Sequence, residues 1–345
     1  MVQPADSNVW ARGETLQIQL TLVANLPLRA GRYMVSLTTP NGVSGDLSFE
    51  HGLTPTPTPA PKVVFVRKWG TVGSGDGEFL NPNGVAAASD GSVYVADTNN
   101  HRIQKFTSEG VFVRNWGTYG SGDGEFSQPY DIAVASDSSV YVTDLQNNRI
   151  QKFTAEGVFV REWGTVGTGD GEFSQPYDIA VASDGSVYIS DSNIHRIQKF
   201  TAEGGFISKW GTQGFGDGEF YLPNGVAVAS DGSVYVSEKN IHRIQKFDSG
   251  GVFVRKWGTY GTDDGEFGFP TSVAVASDGS VYIADEENGR IQKFTSEGVF
   301  VSKWGARGLG DGQFEGANGV AVASDGSIYV ADTSNHRIQK FSMGP

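Results

Sequence analysis

Two carboxylates stand at one register in consecutive copies of a repeat. Asp131 follows Tyr130 in a Pro-Tyr-Asp tripeptide, and Asp178 follows Tyr177 in the same tripeptide 47 residues on. Aromatic rings beside carboxylates suit sugars, peptides and protein loops. Phe215, Tyr221, Phe269 and Arg307 fall at the same kind of place, where otherwise uniform copies disagree. Asp131, Asp178, Lys239, Glu286, Glu287 and Arg307 are also the few unrepeated charged groups from which an active site could be assembled.

The other groups with chemical potential recur. His101, His195, His242 and His336 share one slot in four copies. Zinc needs ligands that converge, and a slot repeated in separate units cannot bring four rings together. These residues read instead as loop histidines beside a repeated acid–arginine pair. That pair is Asp97/Arg102, Asp144/Arg149, Asp191/Arg196, Glu238/Arg243, Asp285/Arg290 and Asp332/Arg337. A group present in every copy serves the copy, and a charge-assisted hydrogen bond pinning its loop is the expected role. The Asp-Gly-Glu loops, such as Asp76 and Glu78, offer one Asp and one Glu each, too few for Ca²⁺, which takes several oxygens. Gly73 to Gly77 lacks the Lys-Ser/Thr ending and the helix of a phosphate loop. No metal site and no cofactor is expected.

These residues ride on a repeat. A Phe closing Gly-Glu-Phe recurs at 79, 126, 173, 220, 267 and, after Gln313, 314, each step 47 residues. Trp-Gly keeps the same beat from Trp69 to Trp304. Within the copy beginning at Trp210, short apolar strands lie at 226–229, 234–236, 243–247 and 252–257. Ser230 to Ser233 and Asp248 to Gly251 make tight turns between them. Four antiparallel strands per 40–50 residues is the pattern of a propeller blade. Small Ala and Val suit the first strand, where blades crowd the axis. Tyr94, Phe106, Phe112 and Trp116 suit the outer strands, where blades diverge. Val64 to Gly70 matches Val252 to Gly258 residue for residue, while the last copy stops before its fourth strand. An N-terminal strand is therefore expected to complete the last blade and close a six-bladed ring.

Asn-Asn-His-Arg-Ile-Gln-Lys-Phe at 99–106, Ser-Asn-His-Arg-Ile-Gln-Lys-Phe at 334–341, Pro-Asn-Gly-Val-Ala and Val-Tyr-Val-Ala-Asp resemble the NHL repeat, in six copies over about 62–345. The resemblance implies an all-β, six-bladed NHL-type propeller. It does not choose an activity. Similar propellers serve as sensor domains of bacterial receptor kinases, as RNA- or protein-binding ends of animal ubiquitin ligases, and as the peptide-amidating lyase. The zinc-binding histidines of that lyase find no match at the propeller mouth.

Ahead of the repeats, residues 54–61 form a Thr/Pro tract, a semi-rigid extended spacer by composition. Residues 1–53 alternate in period two at Leu16 to Leu22, at Tyr33, Val35 and Leu37, and at Leu47 and Phe49, with a Pro40-Asn41-Gly42 turn. They read as part of an immunoglobulin-like sandwich, or as a small sheet packing on the propeller. The formal net charge of −13 disfavours a phosphate backbone as partner. There are no cysteines, which removes disulfides and thiolate chemistry. No apolar run could span a bilayer, and Met1 to Asp6 lack the layout of a signal peptide.

The expected function is a non-catalytic binding module, a monomeric propeller whose loop face takes protein, peptide or carbohydrate. An extracellular or cell-surface setting is expected, with a cytoplasmic one left open. A lyase or hydrolase at the propeller mouth is the alternative, and an RNA-binding or ubiquitin-ligase-associated propeller the second alternative.

Overall fold

The computed structural model describes residues 31–38, 44–51 and 62–344. The chain divides into two compact units, Met1–Pro59 and Ala60–Pro345. In the first, strands Gly31–Thr38 and Ser44–His51 pair antiparallel, with Tyr33 opposite Phe49 and Val35 opposite Leu47. The expected strand at Leu16 to Leu22, the turn at Pro40 to Gly42 and the Thr/Pro spacer lie outside the described residues.

The second unit is all-β, with six four-stranded antiparallel sheets. Blade one comprises Pro82–Ala87, Val93–Asp97, Arg102–Phe106 and Phe112–Trp116, innermost strand first. Blades two to five repeat it at 129–163, 176–210, 223–257 and 270–304. Blade six takes three strands from 317–343 and its outer strand, Val63–Trp69, from the start of the unit, with Ile338 opposite Trp69 and Phe341 opposite Phe65. The seam gives blade six its fourth strand, so the ring closes on six complete blades and only the short outer strand of each keeps a free edge.

Each local feature has a cause in the sequence. The turn after the first strand is Ser-Asp-Gly-Ser, where Asp90 Oδ1 accepts the Ser92 N–H at 2.8 Å and Gly91 takes φ 84°. Blade two places Ser138 at that glycine position, with φ 68°. Burial then joins neighbours. The core is six clusters, one between each pair of blades, in which Tyr, Ala and Ile of one blade meet Phe, Val and Ile of the next. One of them packs Tyr329, Ala331 and Ile338 against Phe79, Val85 and Phe106 and so crosses the seam. Burying such side chains at roughly 1.5–3 kcal/mol each is the main force holding blade to blade. Polar stitches reinforce it: Tyr94 Oη donates to the Ala155 carbonyl at 3.2 Å, and Tyr329 Oη to that of Ser108 at 3.4 Å.

The acid–arginine pairs hold the loops that feed the first strands. Arg102 Nε donates to Asp97 Oδ2 at 2.8 Å, while its two terminal nitrogens reach the carbonyls of Ser74, Gly75 and Glu78. Gln104 completes the cradle, donating to the Glu78 carbonyl and accepting from the Gly77 N–H. The same cradle recurs in every blade, with Glu238 taking the acid's place in blade four. Backbone carbonyls of a Gly-rich loop would otherwise lack partners, and the planar Arg fork satisfies three at once.

The pair was expected to pin its copy's loop by a charge-assisted hydrogen bond, and the contacts of the arginines identify which loop that is. Arg149, Arg196 and Arg243 each open a third strand and are buried, only 6%, 5% and 7% exposed, as are Arg290 and Arg337. What they pin is the loop entering the blade. Arg149 reaches the carbonyls of Ser121, Gly122 and Glu125, Arg196 those of Thr168, Gly169 and Glu172, and Arg243 those of Phe215, Gly216 and Glu219. The reason is desolvation. A buried guanidinium needs a counter-charge and an acceptor for each N–H, and the acid with three carbonyls supplies them. The pair's own loop is held by a different donor in blade two, where Asn147 Nδ2 donates to Asp144 Oδ2 at 2.9 Å.

Candidate functional site

The first strands begin at the loop face and stand around the axis, so their opening residues form the propeller mouth. Asn83, Tyr130, Asp131, Asp178, Thr271 and Asn318 surround a space of about 10 Å³ there, the size of one water. Below it a channel of about 200 Å³ runs along the inner strands towards the short-turn face.

Asp131 and Asp178 lie between these two spaces and line both. Each reaches across to the next blade: Asp131 Oδ2 accepts the Ile179 N–H at 3.1 Å, and Asp178 Oδ1 accepts the Val226 N–H at 3.2 Å. The two carboxyls adjoin, so the charge state of each bears on the other. Burial pushes Asp131 up to about 7. Burial, and then the neighbouring Asp131, holds Asp178 well above the usual carboxylate range. Two adjoining carboxyls in so confined a space disfavour a second negative charge, so the pair shares a proton near neutral pH. The Tyr130 and Tyr177 rings meet edge to face at 4.6 Å between centroids. Burial raises both phenols, with the charges of Tyr177 and Glu286 adding to the effect on Tyr130.

Glycine makes room for this arrangement. Gly84 holds in blade one the place of Asp131 in blade two. A Cβ on Gly84 would sit 2.5 Å from Asp131 Oδ1 and 2.6 Å from its Cα. Gly225 and Gly319 are hemmed in the same way by the backbone of the next blade.

The remaining candidates lie on the loops around the mouth. Phe215 stacks on Tyr221 at 5.5 Å, and Tyr221 on His195 at 5.7 Å. Phe269 stacks on His242 at 5.4 Å and lies under Lys239 Nζ, which is ion-paired with Glu286. Arg307 is exposed and bridges to Phe314. Of the eight candidate ligand residues, Tyr130, Asp131, Tyr177 and Asp178 come together at the mouth, Phe215 and Tyr221 share the loop entering blade four, and Phe269 and Arg307 lie on two other loops.

Two features escaped the choice of candidates. Tyr119 and Tyr260 are 73% and 66% exposed, beside Phe215 at 66% and Leu309 at 73%. Their signal was available, since the third and fifth residues after each Trp are where the copies differ most. The histidines are blade-to-blade stitches. His101 takes a left-handed φ of 55°, and its Nδ1 accepts the N–H of Gln128 in the next blade at 3.1 Å. His195 does so for Leu222, and His336 for Asn81 across the seam. Asn148 substitutes its side-chain oxygen in blade two. The loop glutamates are committed as well: Glu78 Oε2 accepts the Gly75 N–H at 2.8 Å, and the neutral Gln313 does the same for Gly310.

The description "NHL repeat" matches residues 79–106, 173–200, 220–247, 267–294 and 314–341. This is an NHL-repeat propeller. The blade that the NHL family does not match, 126–153, is the one carrying Ser138 for glycine and Asn148 for histidine, yet its strands pair like the others. The chain is similar to the B-box type zinc finger protein ncl-1 of Caenorhabditis elegans, 49% identical over 49 residues, 14% of this chain and 6% of that one. It is similar also to Protein brain tumor of Drosophila melanogaster, 47% identical over 49 residues, 14% and 5%. The matched stretch thus spans about a twentieth of either relative. Among solved structures, the NHL propeller's neighbours in fold include a streptogramin B lyase, 16% identical, TM-score 0.58, covering 82% of this chain and 98% of that one. Virginiamycin B lyase from Staphylococcus aureus is 18% identical, TM-score 0.53, with 90% and 87% covered. A Bacteroides thetaiotaomicron protein of unknown function is 18% identical, TM-score 0.62, with 81% and 75% covered. At these identities the likeness is one of fold.

Proposed function

We propose that the propeller is a non-catalytic binding module whose loop face docks a protein, peptide or carbohydrate. The observation that carries this reading is the set of exposed rings and aliphatics on that face, Tyr119, Phe215, Tyr260 and Leu309, at positions the scaffold leaves free to vary. Loops held on a rigid frame are where binding residues concentrate. Unsupported apolar surface of this kind marks contact sites. The mouth itself has room for about one water, so the ligand lies across the face rather than descending into it. The Thr/Pro tract favours an extracellular or cell-surface setting, which labelling of intact producing cells with an antibody to the propeller would test.

The test of the binding reading is a panel of immobilised glycans, peptides and proteins probed with the whole chain. Tyr119→Ser/Phe215→Ser/Tyr260→Ser should abolish the ligand found, and undiminished binding would sink the loop-face reading. The lyase reading draws on one specific observation, a carboxyl raised to about 7 as general acid–base chemistry wants. It requires substrate within hydrogen-bond reach of Asp131. Turnover of any panel ligand that Asp131→Asn abolishes would establish it instead.

A further inference from the structure

The channel beneath the mouth is a cavity with charge at its blind end. Its walls are six inner strands of small residues, among them Val85, Ala87, Ala133, Ala180, Val228 and Val275. Among the described residues, the only acidic side chains lining it are Asp131 and Asp178, with Ser272 beside them. Asp178 is 8% exposed. The groups felt most by the two carboxyls are each other and backbone N–H donors, with no Lys, Arg or His among them. A pair sharing one proton keeps one negative charge, and a buried charge without a cation is costly.

We propose that the channel is a binding site for a slender primary alkylammonium, which enters from the short-turn face and pairs with Asp131 and Asp178. The donor set decides the ligand class. Ca²⁺ wants six to eight oxygens. Here each carboxyl already has one oxygen on a backbone N–H, and among the described residues no third His, Asp or Glu joins them to make a metal cluster. An ammonium is different: it is a single positive charge whose three N–H donors can use the oxygens' remaining lone pairs. A channel of about 200 Å³ has space for several waters, and so for an unbranched stem of a few methylenes in their place. Branching at the carbon next to the nitrogen would bring its methyls against Ile132, Ile179 and Val226, which line the channel beside the carboxyls.

Ligand-observed NMR with the whole chain tests this, using n-butylammonium as the probe. Tert-butylammonium, NaCl and CaCl₂ run in parallel. The expected result is saturable binding of n-butylammonium with a Kd on the order of millimolar. Tert-butylammonium should bind about tenfold more weakly or not at all, and Asp131→Asn/Asp178→Asn should weaken n-butylammonium by about tenfold or more. Asn keeps an acceptor for the Ile179 and Val226 N–H groups, and circular dichroism checks that the variant is folded. Equal binding of the two amines overturns the proposal on the unsubstituted chain alone. So does unchanged affinity in a folded variant, or displacement of the amine by stoichiometric Ca²⁺.

Discussion

Asp131 is the residue whose energetics can be measured most cleanly. Its carboxyl is raised from 3.8 to about 7 in the folded chain. Above pH 4 the unfolded chain releases a proton that the folded chain keeps. Stability from this group is therefore fullest below about pH 4, is lost as pH rises towards 7, and changes no further above that. Asp131→Asn should match the unsubstituted chain near pH 4 and exceed it at pH 8 by on the order of 1–3 kcal/mol, read from urea unfolding at the two pH values. An unchanged difference between pH 4 and pH 8 would contradict the shared proton. Ser138 gives a second residue-scale prediction. It holds φ 68° where other blades use glycine, so Ser138→Gly should raise stability by about 0.5–1 kcal/mol in the same assay. The sequence shows that Asp131 and Asp178 share a register. That they touch depends on how far each side chain reaches over Gly84 and towards Ile179, and spacing carries no such information.

At the scale of the element, each blade fixes the loop that enters it. Arg290 donates to Asp285 and to the carbonyls of Thr262, Asp263 and Glu266. Arg290→Gln would leave a buried carboxylate without its cation, a loss of about 3 kcal/mol. Hydrogen exchange should speed up in residues 258–268 before it does elsewhere. Uniform protection across the blade would contradict the cradle. The acid–arginine pair was legible from its five-residue spacing in all six copies. Its object, three carbonyls of the preceding loop, was not, because backbone acceptors leave no mark in a sequence. Nor was the burial of Arg149, Arg196 and Arg243, since an arginine beside a polar loop carries the pattern of an exposed one. The histidines show the same limit. Recurrence says that His101, His195 and His336 belong to the scaffold. Only the left-handed turn shows that each one faces the next blade's N–H.

At the scale of the whole molecule, the 47-residue beat makes the architecture readable before any coordinate. The ring then depends on one strand pairing far from its place in the chain, Val63–Trp69 against Arg337–Met343. Removing residues 1–69 should expose that edge and drive the chain into oligomers, whereas removing residues 1–61 should leave a monomer in size-exclusion chromatography. What the beat cannot supply is a ligand, since a scaffold repeated six times speaks only of itself. Function therefore has to be sought where the faces differ, and a matched comparison of the two faces asks this directly. One variant replaces Tyr119, Phe215, Tyr260 and Leu309 on the loop face by Ser. The other replaces Val111, Val158, Val252 and Val299, which are about as exposed, on the opposite face. Both are measured by surface plasmon resonance against the ligand found with the unsubstituted chain. The loop-face variant should lose binding by about a hundredfold or more, as removal of clustered contact residues does, and the opposite-face variant should bind as before. Loss in the opposite-face variant with binding intact in the other would contradict the assignment of the functional face.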